Sequence, residues 1–457
     1  MNTTNNRRFA LRGLVAAAFA LAGLAAQAAL PIQHWTQPSG AKVYFVAVDT
    51  LPIVDVQVDF DAGSRRDPAA QAGLADVTAE MLEKGVAAKG GEPALDENAL
   101  GEAWADLGAS FGAGAGSDRM SFTLRTLSRA DLLDKSVALA AREIGEPSFP
   151  PEVWKRERER IGAAIKEANT KPGTIAGRTF AKDVYGAHPY GADTNEQTLA
   201  RIEVPDMRAF YARHVAPCRA RLSIVGALDR LQADRIATAL LARLPPPKDC
   251  QPLPPVPEVE PLKAAKVDRI PFASAQAHVL IGQPGYPRSD PDHFALTLGN
   301  YVLGGGGFVS RLTEEVREKR GLAYSVYSGF SPGLNAGSFS MGFQTRPDQA
   351  DEAVKVARSV LEKYVADGPT AAELQAAKDN LIGGFPLLLD SNRKLVGNVA
   401  NIAWNDLPLD YLDTWIARMN AVTVADVKAA FQRKLQPERM VTVVVGGKDA
   451  KPAAKAP

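Results

Sequence analysis

The chain has 457 residues, of which 46% are hydrophobic and 23% are charged, and its formal net charge at pH 7 is +1. This is ordinary globular composition, and the length predicts about two to four compact units. The near-zero charge gives no reason to expect a nucleic acid or another polyanion as a partner.

The first 28 residues have the pattern of a secretory signal peptide. A basic start, MNTTNNRRFALRG, precedes the apolar run LVAAAFALAGLAA, which is too short to span a bilayer, and Ala26-Gln27-Ala28 is a small-x-small cleavage site. We therefore expect cleavage after about Ala28 and a periplasmic location. Arg7-Arg8 leaves both the general and the twin-arginine export route open. No other segment has a transmembrane pattern, so we expect no membrane partner.

Residues 73–85, GLADVTAEMLEKG, have the periodicity of a short helix. Its apolar side chains predict a buried stripe of Leu74, Val77, Thr78, Met81 and Leu82. The opposite face carries Asp76, Ala79, Glu80 and Glu83. Asp76 and Glu80 are one turn apart, and their like charges cost the helix roughly 0.2–0.5 kcal/mol.

Two glycine motifs in the chain invite a catalytic reading. Residues 108–112, GASFG, match the G-x-S-x-G pattern of serine hydrolases, but a predicted helix precedes them and a predicted strand follows, the reverse of what that motif needs. We interpret them as a helix C-cap and a flexible loop. Residues 304–312, GGGGFVSRL, lack the ending of a phosphate loop. Their glycines are predicted to end one helix and Ser310 to cap the next.

The second half of the chain repeats a segment of the first half. Residues 202–226, IEVPDMRAFYARHVAPCRARLSIVG, align without a gap with residues 422–446, VTVADVKAAFQRKLQPERMVTVVVG. Each reads as a helix, a turn and a buried strand. Other strands and helices are mixed rather than strictly alternating, which favours an antiparallel or mixed sheet covered by helices. We therefore predict an α+β fold of two homologous tandem domains.

A proline-rich stretch at 244–261, LPPPKDCQPLPPVPEVEP, is predicted to link these domains. The predicted organisation is a signal peptide at 1–28, domains at 29–243 and 262–447, and a disordered tail at 448–457. The two cysteines, Cys218 and Cys250, are too few for a metal site. In an oxidising compartment they could form a disulfide, and they could equally be two independent small residues. The five histidines are scattered, so no local pair suits a metal.

Residues 310–330, SRLTEEVREKRGLAYSVYSGF, predict a helix that Gly321 ends, followed by a strand. Arg317 lies in the last helical turn and Tyr324 at the start of the strand, so the two side chains can reach one surface. Together they would offer a guanidinium fork and a hydroxyl donor to a carbonyl or a tetrahedral oxyanion. On spacing alone, a solvated helix-end cation and a packed ring remain the simpler alternative.

These motifs together resemble the pitrilysin-type zinc peptidases, the group that includes insulin-degrading enzyme and mitochondrial processing peptidase. REKRGLAYSV after GGGGFVSRL is similar to the signature of the C-terminal half of that family. AGSRRDPAAQAGLADVTAEMLEKG resembles the segment of its first half, and YGAHPYG near Tyr185 is also similar. The resemblance covers nearly all of the chain after the leader.

The resemblance implies a degenerate metal site. In active members the helix that matches residues 76–80 reads H-x-x-E-H, in which two histidines bind zinc and the Glu is the general base. The matching positions here hold Asp76, Ala79 and Glu80. Both imidazoles and the base are therefore absent, and two carboxylates alone would hold a hard cation only weakly. We expect no metal and no other cofactor in this chain.

A Glu from a later helix completes the zinc site in active members. The resemblance places Ala164 at that position, anchored on the proline of RERERIGAAIKEANTKP, and it leaves Glu157 or Glu167 as ligands if the register differs. This chain alone is accordingly predicted to be inactive as a peptidase.

The resemblance also assigns Arg317 and Tyr324 to the substrate carbonyl and the transition state. Some members divide the catalytic roles between two chains. This chain is therefore predicted to be the non-catalytic subunit of a heterodimeric zinc metallopeptidase, whose homologous H-x-x-E-H partner carries the zinc and whose substrates are unfolded peptides. The alternative is a proteolytically inert peptide-binding or scaffold subunit, in which the same two residues only pack.

Overall fold

The computed structural model describes residues 31–245 and 250–447. The predicted signal peptide and the predicted tail lie outside the described residues, and so do residues 246–249 of the predicted linker. The domain boundaries at 243 and 262 stay predictions. In the described ranges no helix is both long and apolar enough to cross a membrane.

The described strands, in chain order, are β1 (Gln33–Thr36), β2 (Lys42–Ala47), β3 (Ile53–Phe60), β4 (Gly85–Val86), β5 (Leu95–Asp96), β6 (Ser110–Ala115), β7 (Met120–Leu127), β8 (Arg221–Gly226), β9 (Lys266–Ile270), β10 (Ala277–Pro284), β11 (Ala323–Ser331), β12 (Ser338–Thr345) and β13 (Val441–Val445).

The described α-helices are α1 (Leu74–Leu82), α2 (Glu97–Leu107), α3 (Ala130–Gly145), α4 (Pro151–Ala168), α5 (Pro172–Tyr185), α6 (Glu196–Leu199), α7 (Val204–His214), α8 (Arg230–Leu241), α9 (His293–Asn300), α10 (Ala350–Asp367), α11 (Ala371–Gly384), α12 (Asn392–Trp404), α13 (Tyr411–Ala421) and α14 (Val424–Lys434).

Two large sheets share one strand order, which confirms the prediction of two homologous α+β halves. The first sheet runs β6-β7-β3-β8-β2-β1 and the second runs β11-β12-β10-β13-β9. In each sheet the outer hairpin is antiparallel, whereas β8 pairs parallel with β2 and β13 pairs parallel with β9. The first half therefore has one more edge strand, β1, but the same topology.

The repeated helix, turn and strand are α7 with β8 and α14 with β13. Each helix begins with a capping box in which an Asp carboxylate accepts the backbone N–H three residues earlier. Asp206 accepts from Glu203 at 2.8 Å and Asp426 accepts from Thr423 at 2.8 Å. The same local device thus starts the same element in both halves.

Each half contributes one helix to the sheet of the other half. Helix α5 packs on β10 and β13, and helix α12 packs on β8 and β3. Phe180 of α5 is 7% exposed, and its ring lies against Gly282, where an added Cβ would come within 2.8 Å of it. Because β13 alternates apolar residues toward this helix, the exchange buries a small core that holds the halves together.

The structure joins Cys218 and Cys250 in a disulfide, with their Cα atoms 6.3 Å apart. Cys218 lies in the turn between α7 and β8, and Cys250 lies in the predicted linker. The bond therefore ties the linker to the first half and encloses α8.

The prediction for residues 108–112, GASFG, is right about the helix C-cap but wrong about the flexible loop. Gly108 does end α2, with a φ of +58°, but the following residues form the edge strand β6 rather than a flexible loop. Phe111 of that strand stacks on Trp104 at a ring distance of 5.5 Å. This contact and the pairing with β7 order a glycine-rich segment that its composition alone assigns to a loop.

Candidate functional site

Helix α1 forms where its periodicity predicts it, and its apolar stripe is buried. The prediction that Ala79 lies on the opposite, exposed face is wrong, because Ala79 is only 1% exposed. The helix packs against α7 and against β6, so it is enclosed on two sides and leaves only a narrow polar face. Asp76 is exposed and Glu80 partly exposed on that face.

The start of α1 is capped from a distance by Asp67. Its carboxylate accepts the backbone N–H groups of Gly73 at 2.8 Å and Ala75 at 2.9 Å. Desolvation of this carboxylate raises its pKa to about 7, and the nearby charge of Asp76 adds to the rise. Partial desolvation also raises the pKa of Asp76 itself.

Glu80, at the second predicted ligand position, is bonded to a guanidinium. Arg160 of helix α4 donates to the Glu80 carboxylate, and its Nε donates to Glu157 Oε2 at 2.6 Å. One cationic side chain therefore joins α1 to α4 across the face where the family resemblance places zinc ligands.

Glu157 is buried at the centre of this ion-pair network. Arg156 donates to it at 2.8 Å and to Glu97 of α2 at 2.8 Å, and Lys84 lies 3.9 Å from it. Burial opposes ionisation of the carboxyl, but the hydrogen bonds from Arg160 and Arg156 outweigh it and lower the pKa of Glu157 to about 2. The negative charge of Glu157 is thus paired with the guanidinium groups of Arg156 and Arg160.

The remaining predicted ligand positions do not complete a metal site. Ala164 is an exposed residue of α4 with no donor atom in its side chain, and Glu167 pairs with Lys171 at 2.8 Å. Within the described ranges, no three His, Cys, Asp or Glu side chains form a group that could hold a metal ion. Because one ligand position is an alanine and another is tied to Arg160, these residues do not fit zinc.

The second predicted site begins at Ser310, which is buried. Its hydroxyl donates to the carbonyl of Gly307 at 2.8 Å and accepts the Thr313 backbone N–H at 3.4 Å, as predicted for a helix cap. The helix that follows is not regular, because residues Thr313–Glu318 form a π-helical turn. Gly321 ends it with a φ of +62°, as predicted, and β11 begins two residues later.

Arg317 and Tyr324 come together at the surface. The guanidinium carbon of Arg317 lies 5.1 Å from the centre of the Tyr324 ring, and its Nε lies 3.3 Å from Glu318 Oε1. The Tyr324 side chain is 82% exposed, so it is not a packed core ring. Neither the Nη groups of Arg317 nor the Tyr324 hydroxyl has a hydrogen-bond partner among the described residues.

This arrangement has the chemistry of a two-donor site. A guanidinium offers a planar fork of N–H donors, and a phenol offers one O–H donor. Placed side by side on one surface, they can donate to a peptide carbonyl oxygen and to the oxyanion that forms when that carbonyl is attacked. The pair cannot itself deliver a nucleophile, so it would stabilise charge rather than start the reaction.

Two residues at these sites were not singled out from the sequence. Arg160 lies in the charge run RERER, where alternating signs also describe an ordinary solvated helix face. Phe308 follows four glycines, and its ring centre lies 4.7 Å from the guanidinium carbon of Arg317. The sequence signal that could have identified Phe308 is a large apolar residue directly after a glycine run that predicts an exposed loop.

Known proteins match both halves of this chain and its fold. A model described as Insulinase (Peptidase family M16) matches residues 43–197, and one described as Peptidase M16 inactive domain matches residues 201–381. A crystal structure of a peptidase M16 inactive domain from Pseudomonas fluorescens is 36% identical, with a TM-score of 0.86, and the match covers 93% of this chain and 99% of that chain.

Curated relatives include proteins described both as proteases and as non-peptidases. An uncharacterized zinc protease of Streptomyces coelicolor is 27% identical over 431 residues, covering 92% of this chain and 90% of the relative. A non-peptidase homolog of Helicobacter pylori is 22% identical over 406 residues, covering 87% and 90%. With both halves matched and its second half similar to an inactive domain, the chain belongs to peptidase family M16, the pitrilysin-type zinc peptidases.

Proposed function

We propose that this chain is the non-catalytic subunit of a heterodimeric zinc metallopeptidase. A homologous H-x-x-E-H partner would supply zinc and the general base, and this chain would supply Arg317 and Tyr324. The observation that carries the proposal is the pair itself: a partly exposed guanidinium fork beside an exposed hydroxyl, with no hydrogen-bond partner for the Nη groups or the hydroxyl among the described residues. The first half has carboxylates at two ligand positions and alanines at the third ligand position and at the base position, so it offers no equivalent chemistry of its own.

In this proposal the substrate is an unfolded peptide lying between the two subunits. Arg317 and Tyr324 donate to the oxygen of the scissile carbonyl, and their hydrogen bonds strengthen as negative charge develops on that oxygen. The leader pattern of residues 1–28 supports assembly of the complex in the periplasm.

The test is reconstitution with an exported H-x-x-E-H homologue, using hydrolysis of an unfolded peptide as the readout. Tyr324→Phe removes one donor and keeps the ring, and we expect it to lower kcat about 100-fold, as expected for loss of one oxyanion donor. Arg317→Ala should cost at least as much. Tyr327→Phe is the matched control, because Tyr327 is a second exposed tyrosine of β11 at 52% exposure. Association of the subunits should be unchanged in all three.

The second candidate is a proteolytically inert peptide-binding or scaffold subunit. It is favoured by the Helicobacter pylori relative, whose name describes a non-peptidase. Under that reading, Arg317→Ala and Tyr324→Phe would leave the rate of the complex at the wild-type value.

A further inference from the structure

Phe308 is a large apolar side chain held at the surface beside Arg317. It is 74% exposed, so burial in the core does not account for its position. It lies in the single turn Gly307–Val309, between the π-helical turns Tyr301–Gly305 and Thr313–Glu318.

The backbone around Phe308 is defined by two close approaches. A Cβ at Gly306 would come within 2.7 Å of the carbonyl oxygen of Tyr301, and one at Gly304 would come within 2.5 Å of the backbone nitrogen of Ser328 in β11. The glycine run is therefore packed against its neighbours before it reaches Phe308.

Two aromatic rings lie close to the Arg317 guanidinium. Its central carbon lies 4.7 Å from the centre of the Phe308 ring and 5.1 Å from that of Tyr324, both within the range of a cation–π contact. A guanidinium that contacts aromatic rings can still donate through its N–H groups. The Arg317 side chain is accordingly only 28% exposed, yet its Nη groups keep no hydrogen-bond partner in the described part of the chain.

We propose that Phe308 is a positioning residue for Arg317. Its ring and that of Tyr324 restrict the orientations of the guanidinium, so that the fork and the Tyr324 hydroxyl are presented together before a ligand arrives. Without the Phe308 ring, Arg317 keeps its Glu318 contact and one aromatic face but samples more orientations. The consequence for catalysis rests on the function proposed above, whereas the positioning itself does not.

The direct test uses the full chain without a partner. In the chain labelled with ¹⁵N-arginine, the Nε–Hε resonance of Arg317 is assigned by its loss in Arg317→Lys. Phe308→Leu keeps an apolar side chain and removes the ring, so we expect this resonance to lose a ring-current shift and move downfield. Phe308→Tyr restores the ring and should restore the wild-type position. Val309→Ala, at an equally exposed neighbour, is the matched control and should change nothing.

The kinetic test uses the reconstituted complex. Phe308→Leu should lower kcat about two- to five-fold with KM nearly unchanged, the loss expected for one exposed cation–π contact, and Phe308→Tyr should recover the rate. If Arg317→Ala leaves the rate unchanged, the proposed function fails, and the resonance still decides the positioning. An Arg317 resonance in Phe308→Leu that coincides with wild type overturns the inference, whatever the kinetics.

Discussion

The two halves of the chain share one strand order, but the arginine at the predicted metal site of the first half and the arginine at the predicted carbonyl site of the second half have different partners. In the first half, Arg160 bonds to Glu80 and Glu157, so its charge is neutralised within the fold. In the second half, Arg317 contacts two rings, its Nε lies 3.3 Å from Glu318 Oε1, and its Nη groups bond to no other described residue. The two halves thus keep one topology, while the arginine at the predicted metal site is paired within the fold and the arginine at the predicted carbonyl site keeps N–H donors available.

The halves differ in their interiors as well. Among the described residues, every buried Asp, Glu or Arg lies in the first half, whereas the buried polar residues of the second half are all uncharged. Burying a charge costs free energy unless it is paired. The first half therefore depends on ion pairs and hydrogen bonds to offset the cost of its buried charges, whereas the second half has no such buried charges among the described residues, although the two sheets share one strand order.

Restoring the missing ligands in the first half should have the largest effect of the changes considered below. The change is Asp76→His, Ala79→Glu, Glu80→His and Ala164→Glu in one chain, made with Arg160 retained or replaced by valine. We expect about one zinc per chain only when Arg160 is replaced, because its guanidinium lies between α1 and α4 and repels a second cation. Atomic emission after dialysis measures the zinc. Equal zinc in both versions would show that Arg160 does not block the site.

Removing a side chain at the exchanged helix tests whether the halves depend on each other. Phe180→Ala should lower the free energy of unfolding by about 3–5 kcal/mol, because the ring fills the contact between α5 and the second sheet. Urea denaturation measures this, with Leu231→Ala, at a side chain 72% exposed on α8, as the control. A cost below about 1 kcal/mol would mean that the exchange contributes little.

The buried acids of the first half should make its stability depend on pH. Glu143 is 2% exposed and accepts from Trp104 Nε1 at 2.6 Å, and desolvation raises the pKa of Glu143 to about 7. A raised carboxyl pKa means that the folded state holds its proton more tightly than the unfolded state, so stability is lost as pH rises through about 7.

Glu143→Gln should remove that loss. The variant should match wild type near pH 4 and be more stable by about 2–3 kcal/mol at pH 8, as measured by urea denaturation across pH. Glu167→Gln, at an exposed carboxylate, serves as the control and should show no such divergence. Parallel pH profiles for Glu143→Gln and wild type would contradict the assignment.

The smallest expected effect concerns Arg160 alone. Arg160→Gln should destabilise the chain by about 1 kcal/mol, because it breaks the link between α1 and α4 but leaves Glu157 paired with Arg156. Lys166→Gln on the same helix, whose Nζ lies 3.4 Å from Glu196, should cost less, since both partners are exposed. Equal changes in melting temperature for Arg160→Gln and Lys166→Gln would show that Arg160 stabilises the fold no more than an ordinary surface cation does.

Local patterns in the sequence predicted the parts of this fold that local forces determine. Apolar periodicity located α1, and the repeated Asp, Pro and Gly positions located the matching α7–β8 and α14–β13 units. The exchange of α5 and α12 between sheets was not predictable, because it depends on contacts between residues far apart in the chain. Strand β6 was missed for the same reason, since its order comes from β7 and Trp104.

In the candidate site, too, local patterns were predictable and contacts between distant residues were not. The sequence predicts that Arg317 and Tyr324 reach one surface because a helix runs directly into a strand, and their shared role was predicted from the family resemblance rather than from this spacing. Arg160 and Phe308 were missed because their importance lies in a partner rather than in their own spacing. Glu80 is separated from Arg160 by 80 residues, and no periodicity reports such a pair.

The most direct test of a shared active centre is a titration of an exported H-x-x-E-H homologue with this chain, following hydrolysis of an unfolded peptide. We expect no hydrolysis by this chain alone, and a rate that rises until the two chains are equimolar and then stays constant. Hydrolysis by this chain alone, or a full rate from the homologue without it, would contradict the claim that Arg317 and Tyr324 complete an active centre on another polypeptide.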